Sequence, residues 1–358
     1  MIEKTNIIGL MSGSSLDGID LVDVDFWHDG KWHFKIVAKD NYDYDDYWKQ
    51  RLSDAFYYDQ NQLKDIDYQY GALLGKVTKQ FIDKYNLKPE YVASHGHTIF
   101  HRPQEHYTLQ IGDGQALANE CGVTVINDFR TEDVLKGGQG APLVPIGDKL
   151  LFADYPICLN IGGIANVSYD VDGQRIAYDI CIANQALNYL SNRLSLPYDK
   201  DGQIARSGNI DHQLLTVINS NLFYSQKYPK SLGREFFEEN IKPLLEKRDD
   251  ITDMMATFVE HIAIQIAKSI DDVKTYHGAS LQMLITGGGA KNKFLVERIQ
   301  ANTKHRVVIP SDDIIDYKEA LVFAFLGLLR SRNEINVLKS VTGAESDSSS
   351  GKIFQPNR

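Results

Sequence analysis

Apolar and polar positions alternate along the first forty residues in a pattern that predicts strands. Thr5–Leu10 and Ile19–Phe26 are predicted strands joined by a turn of Gly, Ser and Asp, and Trp32–Val37 is a third. Three Asp residues alternate with apolar residues in the second strand, as expected for a strand with one exposed face. The first two segments therefore predict a hairpin at the start of the chain.

Further along the chain, some segments have apolar residues at helical spacing and others have the short apolar runs of buried strands. The predicted helices are Tyr68–Leu87, Gly114–Cys121, Ala186–Leu194, Phe258–Val273, Lys293–Asn302 and Ala320–Arg330. The predicted strands are Tyr91–Ser94, Val123–Asn127, Leu281–Thr286 and Arg306–Ile309. The region after Asn333 is rich in Ser, and this composition alone predicts a loose tail.

A second strand, glycine turn and strand occupy Ile157–Tyr169 and repeat the pattern of the first hairpin about 150 residues later. A chain of 358 residues is also too long for one ordinary core. The sequence therefore predicts a duplicated architecture of two α/β domains, 1–150 and 151–358, with a cleft between them. The boundary is expected near Pro145–Pro156, and the C-terminal segment is a candidate to return to the first domain.

Composition and charge narrow the class of protein. The hydrophobic content of 43% and the charged content of 24% are those of a soluble globular protein. A formal net charge of -10, with no Lys/Arg cluster, argues against a nucleic-acid partner but not against a small anionic substrate. Three scattered cysteines predict reduced thiols. With neither a signal peptide nor an apolar run of roughly 20 residues, we expect a cytoplasmic protein without a membrane segment.

Residues Gly9–Asp20 contain the first candidate binding loop. Gly13 and Gly18 permit a positive φ and close approach of the backbone to a ligand, and successive N–H groups in a tight turn can bind an anion. Hydroxyl donors come from Ser12, Ser14 and Ser15. Asp17 and Asp20 are candidates to hold Mg²⁺ through water. The alternative is an ordinary hairpin turn, in which Gly, Ser and Asp are common.

Two more glycine-rich segments are candidates for phosphate or nucleotide binding. The second loop contains Asn160, Gly162, Gly163 and Asn166, and the third contains Gly287, Gly288, Gly289 and Asn292. The third opens a predicted helix, where backbone donors and the helix dipole favour anions. Each has the alternative of a tight connection, but three such loops distributed over both halves favour a nucleotide site. Neither a Walker A loop nor a G-x-G-x-x-G fingerprint is present.

Four histidines, His95, His97, His101 and His106, lie close together in the sequence. His95 and His97 are two positions apart and would point the same way on a strand. Zinc sites usually require more closely matched ligands. Polar side chains that line a site are therefore favoured over a metal centre, with surface or packing roles as the further alternative.

Nine motifs, in order along nearly the whole chain, resemble those of one family. They are G-L-M-S-G-S-S-L-D-G-I-D at Gly9, S-H-G-H-T-I-F-H-R-P at Ser94, L-Q-I-G-D-G at Leu109, N-D-F-R at Asn127, G-G-Q-G-A-P-L-V-P at Gly137, L-N-I-G-G-I-A-N at Leu159, T-G-G-G-A-K-N at Thr286, E-A-L-V-F-A at Glu319 and V-T-G-A at Val341. The chain thus resembles the anhydro-N-acetylmuramic acid kinases of the hexokinase/actin-like (ribonuclease H-like) ATPase superfamily. The V-T-G-A match implies packed structure over Ser340–Phe354, in place of the loose tail that the Ser-rich composition predicts.

The resemblance implies a kinase that uses ATP and Mg²⁺ and whose substrate is a small sugar. Water would open the 1,6-anhydro bridge and O6 would be phosphorylated, giving N-acetylmuramate 6-phosphate in the recycling of cell-wall fragments. The residues implied for ATP and Mg²⁺ are Gly9, Ser12, Gly13, Ser14, Asp17 and Gly18 in the first loop, Asn160, Gly162, Gly163 and Asn166 in the second, and Gly287–Gly289 with Asn292 toward the adenosine. Arg130 would pair with the sugar carboxylate, and Thr98 and Glu319 would contact the sugar.

The chain departs from the family pattern around its implied general base, Asp179. The family segment Asp-Thr-Gly-Pro-Gly-Asn is Asp179-Ile-Cys-Ile-Ala-Asn184 here, so only its first and last residues match. The Gln of the family's Ser-His-Gly-Gln-Thr is His97. These differences keep two alternatives open, a kinase of another sugar, such as an amino sugar, and a catalytically weak sensor that binds nucleotide or muropeptide. The sequence does not determine the oligomeric state, and a homodimer stays open.

Overall fold

The computed structural model describes residues 3–13, 16–271, 273 and 281–357. Its strands are β1 Thr5–Ser12, β2 Gly18–His28, β3 Trp32–Asp43, β4 Tyr91–Ser94, β5 His97–Arg102, β6 Tyr107–Ile111, β7 Thr124–Asn127, β8 Ile157–Ile161, β9 Ile164–Val171, β10 Gln174–Ile182, β11 Gln282–Thr286, β12 Arg306–Val308 and β13 Lys352–Phe354. Its α-helices are α1 Asp46–Asp54, α2 Gln60–Tyr85, α3 Gly114–Cys121, α4 Thr131–Leu135, α5 Pro145–Leu150, α6 Asn184–Arg193, α7 Gln203–Ser207, α8 His212–Asn219, α9 Arg234–Phe236, α10 Lys242–Glu246, α11 Ile251–Ile270, α12 Lys293–Asn302, α13 Asp312–Ser331 and α14 Lys339–Thr342.

The chain forms two compact units, Met1–Leu151 with Tyr317–Arg358, and Phe152–Asp316. The second unit is therefore shorter than the predicted range 151–358, because α13 carries the chain back into the first unit, as expected if the C-terminal segment returns to it. The reason is a close contact between β1 and α13. A Cβ atom built on Gly9 would lie 2.0 Å from the carbonyl oxygen of Ala320, so only glycine lets the two backbones touch.

The large sheet of the first unit has the strand order β13-β7-β4-β1-β2-β3. Strands β1, β2 and β3 are antiparallel, β4 is parallel to β1, and β7 is parallel to β4. One face packs against α2, whose Leu74 and Phe81 are buried with Ile8 and Leu21 of the sheet. A smaller two-stranded sheet pairs β5 with β6.

The sheet of the second unit, β10-β9-β8-β11-β12, repeats this topology. Strands β8, β9 and β10 are antiparallel, and β11 and β12 follow in parallel, as β4 and β7 follow β1. Its core is built on α11, where Phe258, Ile262 and Ile266 are fully buried. The prediction of a duplicated α/β fold is confirmed by the two matching strand orders.

The C-terminal segment is packed, so its composition alone gives the wrong prediction and the V-T-G-A motif gives the right one. Thr342 and Ser350 are buried, and β13 pairs with β7 at the edge of the first sheet. In the part of the chain that the structure describes, no helix combines the length and apolar character that a membrane span requires.

Candidate active site

The first predicted loop follows β1. Ser12 is buried, and its hydroxyl donates to the carbonyl oxygen of Gly96 at 2.7 Å. The turn closes with a bond from the Leu16 N–H to the Gly13 oxygen (3.5 Å), and Leu16 adopts a positive φ of 60°. Asp17 is exposed at the start of β2. Ser14 lies outside the described residues.

Two glycines assigned to this loop have packing roles that the sequence prediction did not include. Gly9 lies inside β1 against α13, as described above. A Cβ atom on Gly18 would lie 2.2 Å from the carbonyl oxygen of Tyr42 on β3. Both glycines therefore keep the framework of the loop in place, and Gly13 is left at the turn itself.

Arg130 is held by three donated hydrogen bonds. Its Nε and Nη2 both donate to Nε2 of His95, at 3.0 and 2.9 Å, and its Nη1 donates to the carbonyl oxygen of Gly140 at 2.6 Å. Burial lowers the pKa of Arg130 to about 10, so the side chain stays charged at neutral pH. Among the described residues, these contacts leave two of the five guanidinium N–H groups, one on each Nη atom, for a ligand.

Glu319, on α13, is the second charged residue predicted to contact the sugar. The residue is partly exposed to solvent, but the protein atoms around its carboxyl exclude water and raise the pKa of that carboxyl. The positive charges of Lys318 and Arg130 lower the pKa and so oppose this effect. The neighbouring Lys318 forms a buried ion pair with Asp148 of α5 at 2.7 Å. This pair fixes the turn of α13 that carries Glu319. The charge of Arg130 therefore acts on the pKa of the Glu319 carboxyl, and that of Glu319 on the pKa of Arg130.

Thr98 and His97 begin β5, next to the Gly96 carbonyl that Ser12 contacts. Thr98 is half-buried, and its hydroxyl accepts a bond from Gln110 of β6 at 3.3 Å. His97 is buried, and its Nδ1 has no partner within the described residues. Burial lowers the pKa of His97 to about 4, so the ring is neutral at physiological pH.

In the second unit, four polar residues form a row across neighbouring strands, which we call the polar row. The row consists of Thr286 of β11, Asn160 of β8, Asn166 of β9 and Asp179 of β10. Residues paired in this way point to the same face of a sheet. The adjacent Leu159 and Ile161 face the apolar core, so the polar row lies on the opposite face.

Asp179 ends the polar row inside β10, a strand that the pattern of apolar residues does not predict. Its backbone N–H donates to the Lys230 oxygen at 3.1 Å, and its Oδ2 accepts from the Leu232 N–H at 2.9 Å. Burial raises the pKa of the carboxyl, and the bond from Leu232 opposes the rise. The segment through Lys230 and Leu232 therefore orients Asp179, and no sequence motif indicated it.

Gly162 and Gly163 form the tip of the β8–β9 hairpin. A Cβ atom on either residue would meet nothing closer than 3.7 Å, so these glycines leave open space beside the backbone. Their carbonyl oxygens accept bonds from the N-terminal residues of α6, including a 3.1 Å bond from the Asn184 N–H to Gly162. Asn184 also donates through Nδ2 to the Ile161 oxygen at 3.2 Å. The hairpin tip is thus held by α6 and left open outward.

The third loop runs from β11 into α12. Gly287 adopts a positive φ of 79°, and a Cβ atom there would lie 2.7 Å from Oδ1 of Asn160. A Cβ atom on Gly289 would lie 2.3 Å from Cγ2 of Ile161, whereas one on Gly288 would meet no described atom nearer than 3.6 Å. Asn292 caps α12 by accepting a bond from the Leu295 N–H at 3.0 Å. The cap orders the loop, so Gly288 is its open position.

A metal centre of protein ligands is not found among the residues that the structure describes, where no group of three His, Cys, Asp or Glu side chains is placed to hold an ion. The clustered histidines make other contacts instead. His95 contacts Arg130, His101 contacts Thr108, and His106 contacts the Val134 oxygen.

Two units with one strand order, each with a glycine hairpin at the end of its first strand, define a protein of the actin and hexokinase class. The sequence model of the "Anhydro-N-acetylmuramic acid kinase" family matches residues 5–356. The chain belongs to this family. It is 34% identical to the Anhydro-N-acetylmuramic acid kinase of Mannheimia succiniciproducens, over 98% of this chain and 99% of the relative. It is 32% identical to that of Vibrio cholerae over the full length of both chains.

Two solved structures show a more distant likeness. Gluconate kinase from Lactobacillus acidophilus matches with a TM-score of 0.46 at 11% identity, over 99% of this chain and 94% of the other. The activator of the 2-hydroxyisocaproyl-CoA dehydratase from Clostridium difficile, with bound ADPNP, matches with a TM-score of 0.45 at 14% identity, over 92% and 97%. Both likenesses are too remote to bear on function.

Proposed function

We propose that this chain uses ATP and water to convert 1,6-anhydro-N-acetylmuramate into N-acetylmuramate 6-phosphate and ADP. Membership of the family over nearly the whole chain supports the reaction. The observation that carries the proposal is the placement of Asp179, a carboxylate oriented by the Leu232 N–H on the same face of the sheet as Asn160 and Asn166. We place this reaction in the cytoplasm, where ATP is available.

Asp179 is the general base of the proposed reaction. It removes a proton from the water that attacks C1 of the sugar, the C1–O6 bond breaks, and O6 becomes the nucleophile toward the γ-phosphoryl group. One base therefore drives both ring opening and phosphoryl transfer. Its raised pKa makes Asp179 a stronger base than an exposed aspartate, and general-base catalysis typically contributes about 10²–10⁴-fold.

The phosphates are assigned to the turn at Gly13 and to the hairpin tip at Gly162 and Gly163. The space beside the last two glycines supports this assignment, since a phosphate must approach the backbone N–H groups closely. ATP supplies the phosphoryl group, and its Mg²⁺ supplies charge neutralisation. The exposed carboxylate of Asp17 fits a hard cation held through water, and a cation that arrives with the phosphates needs no cage of protein ligands.

Adenosine is assigned to the third loop and the sugar to the first unit. Gly288 is the open position against which a flat base can lie, and Asn292 orders the turn next to it. The two remaining N–H groups of Arg130 suit the sugar carboxylate, because a charge-assisted fork is both strong and directional. Thr98 and Glu319 are assigned to the sugar hydroxyl and amide groups.

One assay tests the reaction. The purified chain is incubated with ATP, Mg²⁺ and 1,6-anhydro-N-acetylmuramate in ¹⁸O-water, and the product is analysed by mass spectrometry. We expect label at C1 of the sugar and none in the transferred phosphate. Label in phosphate, or ADP formation that does not depend on the sugar, contradicts the proposal because water then attacks ATP. A panel of other amino sugars in place of the anhydro sugar tests the substrate class, and light scattering tests whether the protein is a homodimer.

A further inference from the structure

His95 is a buried residue of the first unit. Its Nδ1 lies 2.8 Å from the Gly96 oxygen, its Nε2 receives two bonds from Arg130, and its ring packs 4.8 Å from that of Phe323 on α13. Only 6% of the residue is exposed. A ligand therefore does not reach this imidazole through solvent, and its action is through its neighbours.

Two independent contacts determine the tautomer of His95. A carbonyl oxygen only accepts hydrogen bonds, so Nδ1 must carry the proton that is donated to Gly96. A guanidinium only donates, so Nε2 must present a lone pair to Arg130. Burial and the charge of Arg130 both lower the pKa of His95, which keeps the ring in this neutral form.

Gly96 joins the same contact set to the first loop. Its carbonyl oxygen accepts from both His95 and the hydroxyl of Ser12, at the end of β1. The backbone N–H of His95 donates to the Leu10 carbonyl oxygen of β1 at 3.2 Å. His95 is thus the residue that connects the strand entering the first loop with the guanidinium assigned to the sugar carboxylate.

We propose that His95, as its Nδ1–H tautomer, is a positioning residue that orients the Arg130 guanidinium toward the carboxylate of the sugar. His95 occupies Nε and one N–H of Nη2, and Gly140 occupies one N–H of Nη1, so one N–H on each terminal nitrogen points elsewhere. Without the lone pair on Nε2, the guanidinium has no acceptor on that edge and loses its fixed plane. The inference rests on the proposed role of Arg130 in sugar binding.

Two amide substitutions separate the two bonds of the imidazole. In His95→Gln the amide oxygen can occupy the place of Nε2 and accept from Arg130. In His95→Asn the shorter amide can only occupy the place of Nδ1 and donate to Gly96. We expect His95→Asn to weaken sugar binding roughly 10–100-fold, the loss of a hydrogen bond to a charged group, with His95→Gln restoring most of the affinity. Affinity for ATP is expected to change little in both variants.

The sugar without the carboxylate separates positioning from general damage. Calorimetric titration is done with 1,6-anhydro-N-acetylmuramate and with 1,6-anhydro-N-acetylglucosamine, which lacks the lactyl group. We expect the difference between the two amide variants with the first sugar and not with the second. His261→Asn is the matched control, because His261 is a buried histidine of the second unit bonded to Asn219. This control is expected to lose stability without a change in affinity for either sugar.

Nitrogen NMR of the histidine rings tests the tautomer without any ligand. A protonated Nδ1 and an unprotonated Nε2 at His95 are expected at neutral pH. The opposite tautomer overturns the positioning role of His95, and so do equal affinities of the Gln and Asn variants for the sugar with the carboxylate. If the wild-type protein still turns over the sugar, the proposed function is unaffected by either result. A wild-type protein that binds neither sugar overturns both.

Discussion

The hydroxyl of Thr342 donates to the buried carboxylate of Asp133 at 2.7 Å and links the C-terminal segment to the residues around Arg130. The other oxygen of Asp133 accepts from the Gly140 N–H at 2.7 Å, and the Gly140 oxygen accepts from Arg130. We expect Thr342→Val to lower the free energy of unfolding by about 1–3 kcal/mol, because a buried carboxylate oxygen loses its donor. Denaturant titration measures this loss. Thr342→Ser keeps the hydroxyl, and equal losses in both variants contradict the role of the bond.

Replacement of Arg130 by Lys tests the sugar site. Lysine keeps the charge but lacks the fork that contacts His95 and Gly140, so sugar binding is expected to weaken by about 1–3 kcal/mol. Affinity for ATP is expected to stay within about twofold, since the phosphates are assigned to other loops. The KM for the sugar and the Kd for ATP measure the two effects. An unchanged KM assigns Arg130 to another task.

Asp179→Asn tests the general base. The amide keeps the size of the side chain, and its oxygen still accepts from the Leu232 N–H, so binding of ATP and sugar is expected to persist. Ring opening and phosphoryl transfer are expected to fall together by about 10²–10⁴-fold. Single-turnover kinetics with both products followed is the measurement. A variant that retains near wild-type rate removes Asp179 from the chemistry.

The pH dependence of the wild-type rate gives a second readout of Asp179. Burial raises the pKa of this carboxyl, so the base becomes protonated at a higher pH than an exposed aspartate does. The acid limb of kcat against pH is therefore expected above the ordinary value of 3.8.

Much of the fold is predictable from the sequence because apolar alternation decides strands. The hairpin of β1 and β2 and the hairpin of β8 and β9 were predicted for this reason. β10 was not predicted, since its segment Gln174–Ile182 mixes charged and apolar residues. The start of α13 at Asp312 was also missed, because its first turns are polar and the apolar run begins only at Ala320.

The candidate site was less predictable than the fold. Glycine-rich loops are visible in a sequence, but whether a glycine is open or packed depends on distant residues. Gly9 and Gly18 are packed by Ala320 and Tyr42, contacts that no local pattern encodes. The positioning role of His95 likewise follows only from its contact with Arg130, which is 35 positions away in the sequence.

Gly163 and Gly289 form a matched pair that separates open from packed glycines. A Cβ atom on Gly163 would meet nothing within 3.7 Å, whereas one on Gly289 would lie 2.3 Å from Cγ2 of Ile161. Gly163→Ala is expected to fold normally and to weaken ATP binding several-fold, because the methyl group fills space assigned to phosphate. Gly289→Ala is expected to lower stability by about 1–3 kcal/mol through overpacking. Thermal unfolding and calorimetry with ATP measure both, and unchanged ATP affinity in Gly163→Ala removes that loop from the phosphate site.

Asp23 is a buried carboxyl of β2 that makes folding sensitive to pH. Burial raises its pKa from 3.8 to about 6, and Asn6 donates to Oδ2 at 3.1 Å. The folded state therefore binds the proton more tightly than the unfolded state. The stabilisation is present below pH 4 and is lost as the pH rises through 6.

Asp23→Asn is expected to raise stability at pH 7 by about 1–3 kcal/mol and to flatten the dependence of stability between pH 4 and 7. Urea titrations at four pH values measure this. Asp83→Asn on the exposed face of α2 is the control and is expected to leave the slope as in the wild type. A slope that survives in Asp23→Asn contradicts the assignment.

The return of the chain at α13 has a consequence for synthesis on the ribosome. The second unit, Phe152–Asp316, is continuous in sequence. The first unit lacks most of α13, the Thr342 hydroxyl that contacts Asp133, and the edge strand β13 until residues 317–358 have been made. The unit translated first is thus completed last. We expect a fragment of the chain that ends before Tyr317 to contain a protease-resistant second unit and an unfinished first unit, and addition of residues 317–358 to complete the sheet at β13.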